Sequence, residues 1–116
     1  YIIYNIDIRG DYVKEYIKVE VFIPEENLVE LVNALNEKSI LRDGNYDYVF
    51  ATSHVTGHFR PIEGANPHIG EVGVVSEVKE VKVEFRIRAT DMESVKDIIV
   101  KHHPYEEPVV NYIELL

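Results

Sequence analysis

Residues 57–73 read GHFRPIEGANPHIGEVG, and they separate two halves of the chain that each show the order strand, helix, strand. The stretch holds four of the six glycines, two of the five prolines and two of the five histidines. Its prolines fix φ, whereas its glycines can adopt positive φ or allow close approach of other groups. We therefore predict a loop of defined shape between the two central strands, and such loops often form functional sites or interfaces.

The half before this loop predicts a strand, a helix and a second strand. Apolar side chains alternate with polar ones over residues 17–23, which is typical of a strand, and this strand ends at Pro24. A helix is expected from Pro24 to about Lys38, since Pro suits a first turn and Leu and Val residues recur at helical spacing. A further strand is expected over residues 46–60, with Gly57 as the place where it bends.

The half after this loop repeats the same order of elements. Alternating apolar residues over 78–87 predict a strand whose polar side carries charges of both signs, as a solvent-exposed sheet face does. Thr90 and Glu93 have the spacing of a capping box at the start of a helix that ends before Pro104. A final strand is predicted over residues 109–115.

Two such units predict an α+β ferredoxin-like sandwich (βαββαβ), in which two helices cover one face of a four-stranded antiparallel sheet. The chain of 116 residues is expected to form this single domain, with an additional N-terminal strand within residues 1–13. Apolar residues on both faces, such as Tyr46, Val49 and Phe50, indicate that another copy covers the open face. We therefore expect a homo-oligomer.

Composition and charge exclude several classes of function. The formal net charge of −9 disfavours a nucleic-acid partner, because phosphate backbones are bound by clustered Lys and Arg. The sequence contains no Cys, which excludes thiolate nucleophiles and disulfides and favours the cytoplasm. No apolar run is long enough for a membrane span, and the N-terminus lacks the pattern of a signal peptide. We expect a soluble, cytoplasmic protein.

Three motifs in order resemble a known family. Residues 57–73 fit GxFRPxxGANPxIGExG, residues 103–108 read HPYEEP, and residues 44–49 read GNYDYV. Over residues 18–116 they resemble the insert domain of the NGG-interacting-factor-three-like (YqfO-type) proteins, which also occurs as a short stand-alone protein. HPYEEP is also similar to the HPYxxP segment of CutA proteins, which are ferredoxin-like trimers related in architecture to PII signalling proteins. The resemblance implies a stand-alone, CutA-like homotrimer with its sheets facing inward.

The resemblance also limits the activity that this chain is expected to have. In two-domain members of the family, the paired-metal site and the proposed hydrolase or cyclohydrolase chemistry belong to the larger flanking domain, with its own His, Asp and Glu ligands. That domain is not part of these 116 residues. A GTP cyclohydrolase function would therefore have no chemical group to carry it here, and we expect a chain that is not itself an enzyme.

Histidine and carboxylate residues supply the candidates for a chemical site. His68, His103 and Glu107 form a candidate ligand set for a divalent metal, since imidazole and carboxylate suit zinc and related ions. The alternative is structural: an exposed loop position for His68, and for His103 a helix end at which the dipole favours the imidazolium. His54 and His58 would lie roughly 13 Å apart on one strand face, too far to share an ion. No phosphate-binding or nucleophile-elbow pattern occurs, so nucleotide binding and covalent catalysis are disfavoured.

Two functions follow as hypotheses. The first is a non-catalytic trimeric module in which the loop and HPYEEP form subunit contacts and a pocket for a small ligand or a divalent metal at each junction. The second is a metal-dependent hydrolase or metal-binding regulator that uses His68, His103 and Glu107. The residues expected at the loop and interface are Gly57, Phe59, Arg60, Pro61, Gly64, Asn66, Pro67, Gly70, Glu71, Pro104, Tyr105 and Glu106.

Overall fold

Four strands and two helices make up the part of the chain that the structure describes. The computed structural model describes residues 15–116, and the strand predicted within residues 1–13 lies outside them. The elements are β1 (Tyr16–Pro24), α1 (Leu28–Glu37), β2 (Ala51–Phe59), β3 (Ser76–Arg88), α2 (Met92–His102) and β4 (Val110–Glu114). A 3-10 turn precedes each helix, at Glu25–Asn27 and Ala89–Asp91. This order confirms the predicted ferredoxin-like α+β fold.

The four strands form one antiparallel sheet in the order β2-β3-β1-β4. β3 is the longest, and its first nine residues pair with β2 while its last nine pair with β1. The backbone N–H of Leu115 donates to the Tyr16 carbonyl at 3.0 Å, and that of Ala89 donates to the Glu15 carbonyl at 2.8 Å. The start of β1 therefore lies beside the end of β4.

The hydrophobic core lies between the helices and one face of the sheet. In β1 and β3, every second side chain points towards α1 and α2. The two helices carry apolar residues at helical spacing on the side that faces the sheet. Burial of one such Val, Leu or Ile side chain contributes about 1.5–3 kcal/mol relative to exposure. Completely buried members of this layer are Val19, Val21, Ile23, Leu31, Leu35, Val83 and Val95. Within residues 15–116, no helix is long and apolar enough to cross a membrane.

The opposite face of the sheet carries charges of both signs at its centre. Lys82 Nζ lies 3.0 Å from Glu84 Oε1, and Lys18 Nζ lies 3.3 Å from the same oxygen. Glu20 extends this group, 3.5 Å from Lys18 Nζ. The hydrogen bond from Lys82 lowers the pKa of Glu84. The prediction of a polar, mixed-charge face is therefore confirmed for β3.

Residues 46–50 form an irregular segment with a bend at Tyr48 before β2, so the strand predicted over residues 46–60 was placed too early. Tyr48 has a positive φ of 50°, which a strand does not allow, and its N–H donates to Asn36 Oδ1 at 2.8 Å. The apolar second face was inferred from Tyr46, Val49 and Phe50, and these three residues lie outside the sheet.

The capping box predicted from Thr90 and Glu93 does not form. Thr90 belongs to the 3-10 turn Ala89–Asp91, and α2 begins at Met92 without a side-chain hydrogen bond at its N-cap. Glu93 Oε1 lies instead 3.5 Å from Lys96 Nζ, one turn further along the helix. The 3-10 turn shifts the N-cap one residue downstream of Thr90, which breaks the spacing that a capping box needs.

The described residues form an elongated body with principal extents of 55 × 26 × 26 Å. Their radius of gyration is 16.3 Å, whereas a compact domain of about 100 residues has roughly 13 Å. β2 lies at the edge of the sheet, and none of its nine residues is buried. The β2–β3 hairpin therefore lies largely outside the core, and the glycine-rich loop forms its end.

Candidate functional site

A pocket of about 470 Å³ lies where the glycine-rich loop meets the HPYEEP segment. This volume is in the range of small-molecule sites. Phe22 and Glu80 line it from the open face of the sheet, because their neighbours Val21, Ile23 and Val81 face the core. The remaining lining residues are Gly57, His58, Phe59, Arg60, Pro61, Ile62, Ala65, Pro67, His68, Ile69, Tyr105, Glu106, Glu107 and Val109. The two segments that the sequence singled out thus line one pocket.

Glycines and a backbone hydrogen bond give the loop a defined shape. The N–H of Gly73 donates to the Pro61 carbonyl at 2.8 Å and closes the base of the loop. Gly64, Gly70 and Gly73 have φ values of 98°, 94° and 84°, which residues with a side chain rarely adopt. The prediction of a shaped loop is confirmed.

The loop is attached to the HPYEEP segment by a hydrogen bond. The N–H of Asn66 donates to Glu106 Oε1 at 3.1 Å, so two stretches 40 residues apart are joined beside the pocket. Pro104 lies just after the end of α2, where it prevents a further helical turn. Glu71 lies away from the pocket lining, and its carbonyl accepts from the N–H of Val74 at 3.1 Å.

Gly57 leaves space for the carboxylate of Glu80. A Cβ built on Gly57 would lie 1.8 Å from Glu80 Oε1, far inside any contact distance. Gly57 pairs with Val78, and the register continues without interruption to the pair of Phe59 with Ser76. The bend expected at Gly57 is therefore absent. The glycine instead permits the close approach of a side chain from the neighbouring strand.

Glu80 is the pocket residue that the sequence analysis missed. It is only 8% exposed, although carboxylates are seldom buried without a partner. Among residues 15–116, its side chain forms no ion pair, and the hydroxyl of Tyr105 lies within hydrogen-bonding reach of it. In the sequence it looks like one more member of the polar side of β3. The one available signal was indirect, because a glycine inside a strand often marks the close approach of another group.

Tyr105 contributes a ring and a buried hydroxyl to the pocket. Its ring centroid lies 4.9 Å from that of His103 and 6.2 Å from those of Phe59 and His68. The hydroxyl is buried, and the Glu80 carboxylate is the polar group beside it. Burial, together with the nearby Glu80 carboxylate, raises the pKa of Tyr105 to about 12. The phenol is therefore protonated at neutral pH.

His103 is a buried structural residue with both ring nitrogens in use. Its Nε2 donates to the Phe22 carbonyl at 2.7 Å, and its Nδ1 accepts from the N–H of Tyr105 at 3.2 Å. A nitrogen that accepts a hydrogen bond carries no proton, so the ring is neutral. Burial lowers the pKa of His103, in agreement with this geometry. The expectation of an imidazolium stabilised by the helix dipole was wrong, because burial opposes the charge.

The three candidate metal ligands do not form one coordinating group. Within residues 15–116, no group of three or more His, Asp or Glu side chains could hold a metal ion together. His68 and Glu107 both line the pocket, but His103 could bind a metal only by giving up one of its hydrogen bonds. A metal at this place would therefore need further ligands.

The other three histidines are not part of this candidate ligand set. His54 and His58 are exposed on β2, and His58 also lines the pocket. His58 Nε2 lies 3.3 Å from Glu77 Oε1 on the neighbouring strand. His102 is the last residue of α2, and its Nδ1 lies 3.8 Å from Glu30 Oε1 of α1.

Comparison with known proteins agrees with this fold and these motifs. No family model matches the chain. The GTP cyclohydrolase 1 type 2 homolog of Staphylococcus aureus strain Mu50 is 38% identical over 111 residues, which are 96% of this chain and 30% of that protein. The protein of the same name from Staphylococcus epidermidis is 38% identical over 100 residues, 86% of this chain and 27% of its own length.

Solved structures of other proteins superpose on this chain. A Bacillus cereus protein related to NIF3 superposes with a TM-score of 0.76 and 33% identity, over 90% of this chain and 27% of that one. The chain is therefore similar to one segment of that NIF3-related protein. Pyrococcus horikoshii CutA shares this fold, with a TM-score of 0.63 and 23% identity, over 85% of this chain and 83% of CutA. The chain spans about 30% of the length of the curated relatives that it matches.

Proposed function

We propose that this chain is a homotrimeric CutA/PII-like module without catalytic chemistry of its own, which binds a small ligand in the loop pocket at a subunit junction. The observation that carries the proposal is the pocket itself, since it is built from the two motif segments. Phe22, Phe59 and Tyr105 give it aromatic walls, whereas no nucleophile paired with a general base lines it. Such a lining favours binding over reaction.

Exposed apolar residues support the assembly of several copies. The end of the hairpin presents Ile62, Val72, Val74 and Val75, each between 50% and 67% exposed. Clusters of this kind on a soluble domain mark interaction surfaces. The adjoining strand β2 is an unpaired edge without a buried residue, and such edges are usually covered. A ring of identical subunits would cover both features and bring loops of neighbouring copies together.

The test of the assembly is the mass in solution. We expect sedimentation velocity at micromolar concentration to give about 40 kDa, three times the 13.4 kDa of one chain. A mass near that of a single chain would overturn the trimer. A mass of two chains would retain an oligomer but exclude three-fold symmetry.

The name of the curated relatives suggests a GTP cyclohydrolase, and we assign that activity to the part of those proteins that this chain does not match. The assignment is supported by the length of the match, about 30% of each relative. It is also supported by the scattered metal-ligand candidates of residues 15–116. We further propose a cytoplasmic location, supported by the lack of Cys in the sequence.

A further inference from the structure

The carboxylate of Glu80 is a buried charge that has no ionic partner in the described residues. It is 8% exposed and lines the pocket. Within residues 15–116 it forms no ion pair, and the hydroxyl of Tyr105 lies within hydrogen-bonding reach of it. The nearby charges Lys82 and Lys18 are instead paired with Glu84 and Glu20. A buried carboxylate is costly when its neighbour is a neutral hydroxyl and no cation is present, so the pocket favours a positive group that the described residues do not supply.

The surroundings of Glu80 suit an organic cation. Phe22, Phe59 and Tyr105 line the same pocket, and aromatic faces attract ammonium and guanidinium groups. The Tyr105 hydroxyl is buried beside Glu80, and its oxygen has lone pairs that can accept a hydrogen bond from the same cation. Gly57 creates the space that lets the carboxylate sit among these groups.

Other ligand classes fit the pocket less well. An anion would meet Glu80, Glu106 and Glu107 against the single cationic side chain of Arg60, in a protein with a net charge of −9. A hydrated metal ion would need several oxygen or nitrogen ligands, and no group of three His, Asp or Glu side chains within residues 15–116 supplies them. An ammonium or guanidinium group with an apolar body needs one carboxylate and apolar walls, which are present.

We propose that the pocket binds an ammonium or guanidinium group attached to an apolar body, with Glu80 as the counter-ion and the Tyr105 oxygen as a second acceptor. This inference rests on the proposed ligand-binding function and names its ligand class. The cation can come from a free amine or from a Lys or Arg side chain of a second copy of the chain. Both sources supply the same kind of cationic group, and the experiment distinguishes them.

The test compares cationic probes with a neutral analogue. Isothermal titration of the full chain with phenethylammonium and with agmatine is expected to show binding, whereas 2-phenylethanol, which lacks the charge, is expected to bind at least about tenfold more weakly. Glu80→Gln keeps the shape of the side chain and removes its charge, and it should weaken the binding of both cations by about tenfold to a hundredfold. Equal binding of 2-phenylethanol would overturn the proposal.

Two further variants control the experiment. Glu77→Gln removes an exposed carboxylate from the same strand, and it should leave cation affinity unchanged within about twofold. Tyr105→Phe removes one acceptor while keeping the ring, and it should weaken binding by a few-fold without loss of folding in thermal melts. If Glu80→Gln fails to fold, Tyr105→Phe still tests the site. If every folded variant of Glu80 and Tyr105 binds the cations with unchanged affinity, the proposed cation site is overturned.

The mass in solution, measured in parallel, distinguishes the outcomes. Absence of cation binding together with dissociation of the Glu80→Gln variant supports a Lys or Arg side chain of a second copy as occupant. Absence of cation binding together with an unchanged mass overturns the inference. Cation binding by a monomeric wild-type chain supports the inference and overturns the trimer. Tighter binding of Mn²⁺ or Zn²⁺ that also depends on Glu80 would replace the organic cation by a metal.

Discussion

At the scale of single residues, His103 shows how one neutral ring can join distant parts of the chain. Its two nitrogens tie the end of α2 to β1 and fix the first turn of the HPYEEP segment, which carries Tyr105 into the pocket. Burial is the largest effect and lowers the pKa of His103, whereas the hydrogen bond to the Phe22 carbonyl and the nearby Glu80 carboxylate raise it. The imidazole therefore has a structural role. Protonation of its Nδ1 would break the hydrogen bond from the N–H of Tyr105.

Stability should fall below pH 6.5 because of His103. The folded pKa is lower than the usual value of 6.5, so below that pH the unfolded chain binds more protons than the folded chain. The contribution of His103 is thus fully present above pH 6.5 and is lost as the pH falls towards the folded pKa. Thermal unfolding from about pH 7.5 to about pH 5.5 should lower the Tm of the wild type more than that of His103→Gln.

The matched control for this prediction is the neighbouring histidine. His102→Gln should keep the pH dependence of the wild type, because His102 lies at the helix surface near Glu30. If His103→Gln and the wild type lose the same Tm over this range, the ring is not the group that titrates.

At the scale of elements, the turn after α1 depends on one asparagine of the helix. Asn36 Oδ1 accepts from the N–H of Tyr48 at 2.8 Å, and its Nδ2 donates to Asp47 Oδ2 at 3.2 Å. Asn33, one turn earlier, accepts only from the Tyr48 hydroxyl, at 3.0 Å. The helix thereby holds Tyr48 at a positive φ and directs the chain into β2.

Asn36→Ala should lower the free energy of unfolding by about 1 kcal/mol, since a backbone N–H loses its partner. Asn33→Ala is the control, and it should cost less than about 0.5 kcal/mol because a solvent-exposed hydroxyl can bond to water. Urea unfolding monitored by circular dichroism measures both. Equal effects of the two variants would contradict the role assigned to Asn36.

The same turn explains which parts of the fold could be predicted from the sequence. Strands β1 and β3 and both helices follow from local apolar periods, so their order and approximate bounds were predictable. The turn at Tyr48 was not, because the residue that fixes its φ lies 12 positions earlier. Glu80 is a comparable case for the site. Gly57 lies beside Glu80 because of the register in which β2 pairs with β3. The sequence does not reveal this register, because a long loop separates the two strands.

At the scale of the whole molecule, the projecting hairpin contrasts with the surface of the helices. Val75 at the hairpin is 62% exposed, and Val100 on α2 is 72% exposed. Exposure alone therefore does not distinguish these positions. Their surroundings do, since Val75 has other exposed valines beside it in the sequence, whereas Val100 has the charged Lys101. In the proposed trimer we expect Val75 to be covered and Val100 to remain in solvent.

If the protein is the proposed trimer, Val75→Glu should shift the mass in solution from about 40 kDa towards the 13.4 kDa of one chain. Val100→Glu introduces the same charge at a position that remains exposed, and it should leave the mass unchanged. Sedimentation velocity of both variants at equal concentration gives the comparison. A Val75→Glu variant that remains trimeric would place the subunit contacts elsewhere.

The backbone pairing of Tyr16 with Leu115 has a consequence for how this unit can be combined with other domains. Because the chain enters and leaves the sheet on adjacent strands, the unit can interrupt a surface loop of a host domain without separating the two sides of that loop. The host needs no rearrangement, and the hairpin with its pocket points away from the junction. The same 100 or so residues can thus recur within much longer proteins such as the relatives found here, in which they make up about 30% of the length.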